Sequence, residues 1–367
     1  MASQSDVIVI GAGVMGLWTA WAALDAGLTV RILERDRVGA GASGGVVGAL
    51  APHMPDRWNA KKAFQLKALL ELPEALARVE AVSGLSTGYG AIGRLQPVRG
   101  RGMDRVAERV AGADRHWEGA AAMALLPPDA VPGWTSDDVD GWLHDTLTAR
   151  LHPALTCAAL AAAIRVRGGW IDEESPVEAV APGGVRTRTE RFRAPIVVLA
   201  AGVPAFELIA PLVGETPGRA EKGQALLLEA GPPLPHPLIY GDSTYVLPHA
   251  DGTLAIGATS ERHFDDPTGT DDQLDAVLAR ALALSPAVEG RAVIARWAGL
   301  RPRGNGRDPM LGAVPGAEGL FAMMGGFKIS FGIAERAARQ VIAQALGGPT
   351  DLPDTFTVAH HLGKSEG

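Results

Sequence analysis

The apolar and polar positions between residues 6 and 34 change their period twice. Residues 7–10 form an apolar, β-branched run that suits a strand buried on both faces. From Leu17 to Leu24 the apolar residues recur at helical spacing, and residues 29–33 return to a strand-like run. The pattern therefore predicts a strand–helix–strand unit at the start of the chain.

Three glycines, Gly11, Gly13 and Gly16, occupy the turn between the first strand and the helix. In a dinucleotide-binding turn they allow, respectively, the tight turn, close approach of a pyrophosphate and close packing of helix on strand. Unpaired N–H groups at the helix start favour the phosphates, and Glu34, about twenty residues on, suits a ribose diol. A glycine-rich loop without a ligand is the alternative. The order of strand, glycines, helix, strand and acid favours a dinucleotide site.

The rest of the chain alternates between helical and strand-like segments. Helices are predicted at residues 61–82, 103–111, 153–167, 271–284 and 332–346. An apolar strand at 193–199 runs into Ala201 and Gly202, which suits a parallel strand ending at the ligand. Strands at 224–228, 245–248 and 253–259 indicate a largely antiparallel sheet. We therefore predict an α/β fold with a Rossmann-like domain and an inserted α+β domain on a mainly antiparallel sheet.

The composition narrows the class of protein. The 367 residues are 47% hydrophobic and 20% charged, as in an ordinary globular protein, and the net charge of −7 disfavours nucleic-acid binding. Cys157 is the single cysteine, so no intrachain disulfide can form. The opening MASQS lacks a basic region and predicts no signal peptide, and no apolar run is long enough to span a membrane. A cytoplasmic location is the simplest expectation.

Five segments together resemble the D-amino-acid-oxidase-type FAD-dependent oxidoreductases, which include glycine oxidase, sarcosine oxidase and D-amino acid dehydrogenase. They are VIVIGAGVMG with LER, GAGASGGVVG, VLAAG, YVLPHADGTLAIGATSE, and WAGLRPRGNGRDPMLGAVPG followed by GGFKISFGIA. The resemblance covers nearly the whole chain and implies FAD as the cofactor. It also implies a FAD-binding domain of residues 1–87, 152–220 and 296–367, and a substrate domain of 88–151 and 221–295.

The resemblance assigns cofactor contacts to the opening turn, the glycine-rich loop, two later backbone positions and a wrap around the flavin. The implied residues are Gly11, Gly13, Val14, Met15, Gly16, Glu34, Arg35, Ala42, Ser43, Val47, Gly48, Ala49, Val177, Ala201, Gly202, Gly326, Phe327, Lys328, Ile329, Ser330 and Gly332.

Three residues carry the implied catalytic roles. Arg301 matches the arginine that grips the substrate carboxylate, a task that suits a planar, permanently charged guanidinium. Tyr245 matches a tyrosine near the substrate, and Lys328 would stabilise negative charge on the flavin. The alternatives are a surface ion pair for Arg301 and strand packing for Tyr245.

The chain also departs from the family pattern. It lacks the cysteine that bonds to the flavin in sarcosine-oxidase-type members, so the FAD is expected to be non-covalent. The lysine that activates oxygen in those members would fall near Ala255 and is also missing. His249 and Lys328 replace residues usual in glycine oxidases, which leaves the substrate open. His53 suits a loop histidine better than a flavin contact, and His360 and His361 lack further ligands, so no metal site is predicted.

The expected function is oxidation of the C–N bond of a small amino acid or secondary amine. A hydride would pass to flavin N5, the imine would hydrolyse, and O2 would accept the electrons to give H2O2. Three alternatives stay open: a D-amino acid dehydrogenase with another acceptor, the flavin module of an RNA-modifying enzyme, and a redox-inert FAD scaffold. The substrate's identity and a homo-oligomeric state are also left open.

Overall fold

The computed structural model describes residues 5–232 and 234–363. Some positions of the predicted domain ranges, and most of the opening MASQS segment, lie outside the described residues. These positions are 1–4, 233 and 364–367.

The described chain contains twenty strands. They are β1 (Val7–Ile10), β2 (Val30–Leu33), β3 (Ala49–Leu50), β4 (Gly90–Ala91), β5 (Arg94–Val98), β6 (Met123–Leu126), β7 (Gly141–Asp145), β8 (Ala149–Arg150), β9 (Trp170–Asp172), β10 (Val177–Ala181), β11 (Gly184–Thr187), β12 (Arg191–Arg193), β13 (Ile196–Leu199), β14 (Gly218–Leu228), β15 (Leu238–Gly241), β16 (Thr244–Pro248), β17 (Leu254–Gly257), β18 (Val293–Gly304), β19 (Met310–Ala313) and β20 (Leu320–Met324).

Eight α-helices accompany them. They are α1 (Val14–Asp25), α2 (Ala60–Ser83), α3 (Val106–His116), α4 (Pro153–Val166), α5 (Pro204–Val213), α6 (Gln273–Leu284), α7 (Ser330–Ala345) and α8 (Val358–His361).

A six-stranded sheet has the order β19-β20-β13-β1-β2-β9 and is parallel except for the β19–β20 pair. Its central strands β1 and β13 are apolar on both faces, as expected where both faces are covered. Val7 and Val9 pack with helices α1, α2, α4 and α7, whereas Ile8 and Ile10 pack on the side of α5 and the β10–β12 meander. The predicted Rossmann-like sheet is confirmed.

An eight-stranded sheet has the order β18-β14-β17-β16-β15-β5-β7-β6. Every neighbouring pair is antiparallel except β15–β5, so the sheet is mainly antiparallel. One face buries an apolar cluster against α6, including Leu226, Val246 and Ile256. The neighbouring residues along these strands, such as Ala225 and Tyr245, point to the opposite face because side chains alternate along a strand.

The predicted element bounds differ from the structure at a few ends. The predicted helix at 103–111 is wrong in its start, because residues Gly100–Arg105 form a 3-10 turn before α3. Helix α7 begins two residues earlier than predicted, at Ser330. The predicted domain boundaries at 220/221 and 295/296 fall inside β14 and β18, which pair along their whole length. The division into two domains stays a prediction.

Within the described residues, no helix is both long and apolar enough to cross a membrane.

Candidate active site

A cavity of about 910 Å³ lies between the two large sheets. It extends from the start of α1, across the ends of β1, β2 and β13, to one face of the eight-stranded sheet. Its size falls within the usual range for a small-molecule or cofactor site.

The glycine turn at the start of α1 has no room for side chains. Gly11 has a φ of +103°, and a Cβ there would lie 2.7 Å from the carbonyl oxygen of Ala200. A Cβ on Gly16 would lie 1.9 Å from the carbonyl oxygen of Gly11. Only glycine therefore allows the helix to start this close to the strand, and the first turn of α1, whose N–H groups have no partner within the helix, lies at the cavity.

The glycine-rich loop covers this turn from the other side. The Val14 N–H donates to Ser43 Oγ at 3.0 Å, and a Cβ on Gly13 would lie 3.1 Å from the same oxygen. The Ser43 hydroxyl is thus placed beside the helix start, where an anion is most favoured.

Glu34 is held at the end of β2 by two backbone groups. The N–H of Ala12 donates to Glu34 Oε2 at 2.7 Å, and the N–H of Asp36 donates to Oε1 at 2.9 Å. Each carboxylate oxygen keeps acceptor capacity on the cavity side. The arrangement fits the ribose diol of a dinucleotide.

Most of the predicted cofactor residues line the cavity. The ones that do so are Gly11, Gly13, Val14, Met15, Glu34, Arg35, Ala42, Ser43, Val47, Gly48, Ala49, Val177, Ala201, Gly202, Gly326, Phe327, Lys328 and Ser330. Gly16, Ile329 and Gly332 are not among the lining residues. Gly16 lies at the contact between helix and turn, Ile329 packs against the helical core, and a Cβ on Gly332 would be 3.2 Å from Leu69. The lining set, the anion-favouring helix start and the pinned Glu34 fit FAD.

The face of the eight-stranded sheet supplies the other end of the cavity. Tyr245 lies opposite Gly257, Gly257 opposite Ala225, and Ala225 opposite Trp297 in the strand register. Directly opposite residues share a face of the sheet, so this row of four crosses β16, β17, β14 and β18. The two middle residues of this row, Gly257 and Ala225, are small, and the two end residues, Tyr245 and Trp297, are aromatic.

Arg301 lies on the same face, four residues beyond Trp297 on β18. Its guanidinium extends across Gly223 of the neighbouring strand, where a Cβ would be only 2.0 Å from Nη2. Nη1 donates to the carbonyl oxygen of Thr259 at 3.1 Å. Among residues 5–232 and 234–363, no carboxylate lies within 4.0 Å of this guanidinium, which leaves donors free toward the cavity.

Glu221 lies opposite Arg301 in the strand register, but its carboxylate already accepts hydrogen bonds from two other side chains. Arg303 Nη1 donates to one of its carboxylate oxygens at 2.5 Å, and Ser260 donates to the other. Burial alone would raise the pKa of Glu221, but these hydrogen bonds hold it below its ordinary value. Because Arg303 and Ser260 occupy this carboxylate, Arg301 remains available to another anion.

Tyr245 and Lys328 flank this region. The Tyr245 and Tyr240 rings are 4.4 Å apart, and burial raises the pKa of Tyr245 to about 12, so its hydroxyl stays protonated. Burial and the charge of Arg301 lower the pKa of Lys328. The segment carrying Lys328 is fixed beside β18, since the Phe327 N–H donates to the Pro302 carbonyl at 3.1 Å.

The charges along the cavity are separated. Glu34, Arg35 and Asp36 lie at the ribose end, whereas the charged lining residues at the sheet end, Arg280, Arg301 and Lys328, are all cationic. Among the described lining residues there is no carboxylate at the sheet end and no histidine anywhere. This end of the cavity favours an anionic ligand.

Among the lining or supporting residues that the sequence analysis did not identify are Gly223, Thr259 and Trp297, which lie beside Arg301. Trp297, Gly299 and Arg301 are spaced by two, a strand signal that would have placed Trp297 on the face of Arg301. Gly223 and Thr259 contact Arg301 only through strand pairing and a loop. No local sequence pattern marks them.

The histidines and Cys157 lie away from the cavity surface. His53 contacts Gln65 through both its N–H and its ring, and burial lowers its pKa. His249 Nε2 bonds the Val46 carbonyl at 2.9 Å, while His361 bonds that of Pro309. Cys157 is buried and does not line the cavity. The part of the chain that the structure describes has no group of three or more His, Cys, Asp or Glu side chains suited to a metal.

Comparison with known proteins agrees with the geometry. Residues 6–340 match the family model described as FAD dependent oxidoreductase. The chain is 29% identical to glycine oxidase of Pseudomonas putida, over 96% of this chain and 97% of that one. It is 31% identical to the bifunctional protein ThiO/ThiG of Synechocystis over 86% of this chain, which spans only 48% of that protein.

The solved structure of glycine oxidase from Geobacillus kaustophilus superposes with a TM-score of 0.89 at 21% identity, covering 97% of this chain and 98% of that one. The chain belongs to the FAD-dependent oxidoreductase family, and it is an enzyme that uses FAD.

Proposed function

We propose that this enzyme oxidises the C–N bond of a small amino acid or a carboxylate-bearing secondary amine, with FAD bound non-covalently. One observation carries the proposal: the buried Arg301 guanidinium lines the cavity from the face of the eight-stranded sheet, and within the described residues it has a hydrogen bond to the Thr259 carbonyl but no carboxylate partner. The similarity to the glycine oxidase of Pseudomonas putida supports a substrate of this class.

Arg301 would bind the substrate carboxylate bidentately and so fix the position of the Cα–H bond. Tyr245, which stays protonated, would donate a hydrogen bond to the same carboxylate. FAD, when bound, supplies the two-electron acceptor. The substrate loses two electrons and two protons to become an imine, which water hydrolyses to an oxo acid and ammonia or a primary amine.

A general base is not required from the protein. The described lining residues at the sheet end include no carboxylate and no histidine, and an amine that binds in its neutral form needs no proton removed before it is oxidised. We propose O2 as the final acceptor, giving H2O2. A dehydrogenase would instead reduce a different acceptor.

The test is anaerobic mixing of the FAD-loaded protein with glycine, sarcosine and other amino acids while flavin reduction is followed. Reduction by a small amino acid, followed by peroxide release in air, supports the oxidase. Arg301→Ala should lower kcat/KM by roughly 30-fold to several thousand-fold, because removing one member of a close charge pair costs about 2–5 kcal/mol.

The matched control is Arg186→Ala, since Arg186 pairs with Glu178 at the surface and does not line the cavity. Equal turnover by the wild type and the Arg301→Ala protein with every amino acid would overturn the assigned role of Arg301. Peroxide-free reoxidation would identify a dehydrogenase.

A further inference from the structure

Trp297 has a position that the carboxylate-binding role of Arg301 does not explain. Its ring lies over Gly299, where a Cβ would be 2.4 Å from Cζ2 and 2.6 Å from Cη2. The same edge of the indole faces Gly45 of the glycine-rich loop, where a Cβ would be 3.2 Å from Cη2. The six-membered part of the indole thus spans the gap between the sheet and that loop.

The indole lies beside the Arg301 guanidinium. Gly299 and Gly223 are directly opposite each other on β18 and β14, so their Cα atoms are about 5 Å apart. The indole of Trp297 covers Gly299, and the guanidinium of Arg301 covers Gly223. A carboxylate held by Arg301 would therefore place its Cα, and any group attached to it, next to the indole edge.

The pair of glycines makes this arrangement possible. A side chain at Gly223 would displace the guanidinium, and a side chain at Gly299 would displace the indole. Trp297 is only half-buried and lines the cavity, so its ring is a wall of the site rather than part of a closed core.

We propose that Trp297 determines substrate size: its indole favours a substrate whose Cα carries only hydrogen besides the amine and the carboxylate, and it penalises a methyl or larger group. The inference rests on the proposed function, because it assumes that Arg301 holds the substrate carboxylate. A pocket that lacks room for one more methylene discriminates by roughly tenfold to two hundredfold.

The test measures equilibrium binding of three unreactive carboxylates, acetate, propionate and 2-methylpropanoate, to the FAD-loaded protein by the change in flavin absorption. In the wild type, 2-methylpropanoate should bind roughly tenfold or more weakly than propionate. The methyl group of propionate can take the place of the substrate amine, whereas the second methyl group of 2-methylpropanoate corresponds to the side chain of alanine. In Trp297→Phe and Trp297→Ala this penalty should shrink or reverse, since a buried methylene favours binding when it fits. The ratio of kcat/KM for glycine to that for either enantiomer of alanine should fall in parallel.

Two further variants separate size selection from a general disturbance. Gly299→Ala should push the indole into the cavity and weaken acetate binding, and adding Trp297→Phe should restore that binding because phenylalanine does not extend as far over residue 299. Trp170→Ala is the matched control, because Trp170 is 46% exposed on the edge strand β9 and does not line the cavity.

The outcomes are distinguishable. If the wild type binds none of the carboxylates, the carboxylate-binding role of Arg301 fails, and the inference fails with it. If the carboxylates bind but Trp297→Phe keeps FAD and the wild-type order of affinities, the inference alone is overturned.

Discussion

The two large sheets build their halves of the active site in different ways. The six-stranded sheet presents backbone: tight glycine turns, the start of α1 and the ends of parallel strands, with Glu34 as its main side chain. The eight-stranded sheet presents a face, where Trp297 and Arg301 of β18 and Tyr245 of β16, a strand distant in sequence, project into one cavity. Under the proposed function, the first design recognises what all dinucleotides share, and the second recognises one substrate.

The difference also explains where glycine is needed. Gly11 and Gly16 bring one backbone against another, so any side chain there would collide with a carbonyl oxygen. Gly223 and Gly299 instead make room for the ends of the Arg301 and Trp297 side chains, which can move. Substitutions in the two regions should therefore fail in different ways and to different degrees.

The largest effect is expected for Gly16→Ala in the six-stranded half. The added Cβ would lie 1.9 Å from the Gly11 carbonyl oxygen, and relief requires a shift of backbone. The protein should lose bound FAD and unfold at a lower temperature, since overpacking at a rigid contact costs about 1–3 kcal/mol or more. Flavin content and Tm measure this.

Gly102→Ala is the control for that experiment, because a Cβ there would meet only Val98 Cγ1 at an ordinary 3.5 Å. A Gly16→Ala protein that retains FAD like this control would show that the turn tolerates a side chain, contrary to the account.

A smaller and more selective effect is expected for Gly223→Ala in the eight-stranded half. The methyl group displaces the Arg301 guanidinium, so kcat/KM should fall roughly tenfold to a hundredfold, or about 1.4–2.8 kcal/mol. FAD content should not change. In an Arg301→Ala background the same substitution should add little, because both changes remove one interaction. If the losses in kcat/KM caused by Gly223→Ala and Arg301→Ala add in full, Gly223 does not act by making room for the Arg301 guanidinium.

The last effect is absent near neutral pH and concerns His249, whose ring hydrogen-bonds the carbonyl of Val46 in the glycine-rich loop. Burial lowers the pKa of His249 to about 4, so the folded protein keeps it neutral while the unfolded chain takes up a proton below about pH 6.5. The free energy of unfolding should therefore decrease as pH falls from about 6.5 to about 4, by on the order of 3 kcal/mol.

His249→Gln should flatten this acid dependence in urea unfolding measured at several pH values. The exposed His263 provides the control as His263→Gln, which should leave the dependence unchanged. If the free energy of unfolding of His249→Gln depends on pH as it does in the wild type, His249 is not the cause of that dependence.

The sequence predicts the two halves unequally for the same physical reason. The dinucleotide half is local: the strand, glycines, helix and Glu34 lie within residues 6–34, and their spacing alone predicts the geometry that the structure has. Arg301 and Tyr245 were found only through resemblance, because nothing near them in the chain reveals that they share a sheet face. Gly223 and Thr259 depend on strand register and a loop contact, which periodicity does not specify.

The most direct test of the account is the dependence of anaerobic flavin reduction on glycine concentration in the wild type and in Gly223→Ala. The account predicts saturable reduction in the wild type, and a higher apparent Kd with unchanged flavin content in the variant. Equal Kd values in the two proteins, or no reduction by any small amino acid, would contradict the claim that the sheet face holds the substrate carboxylate through Arg301.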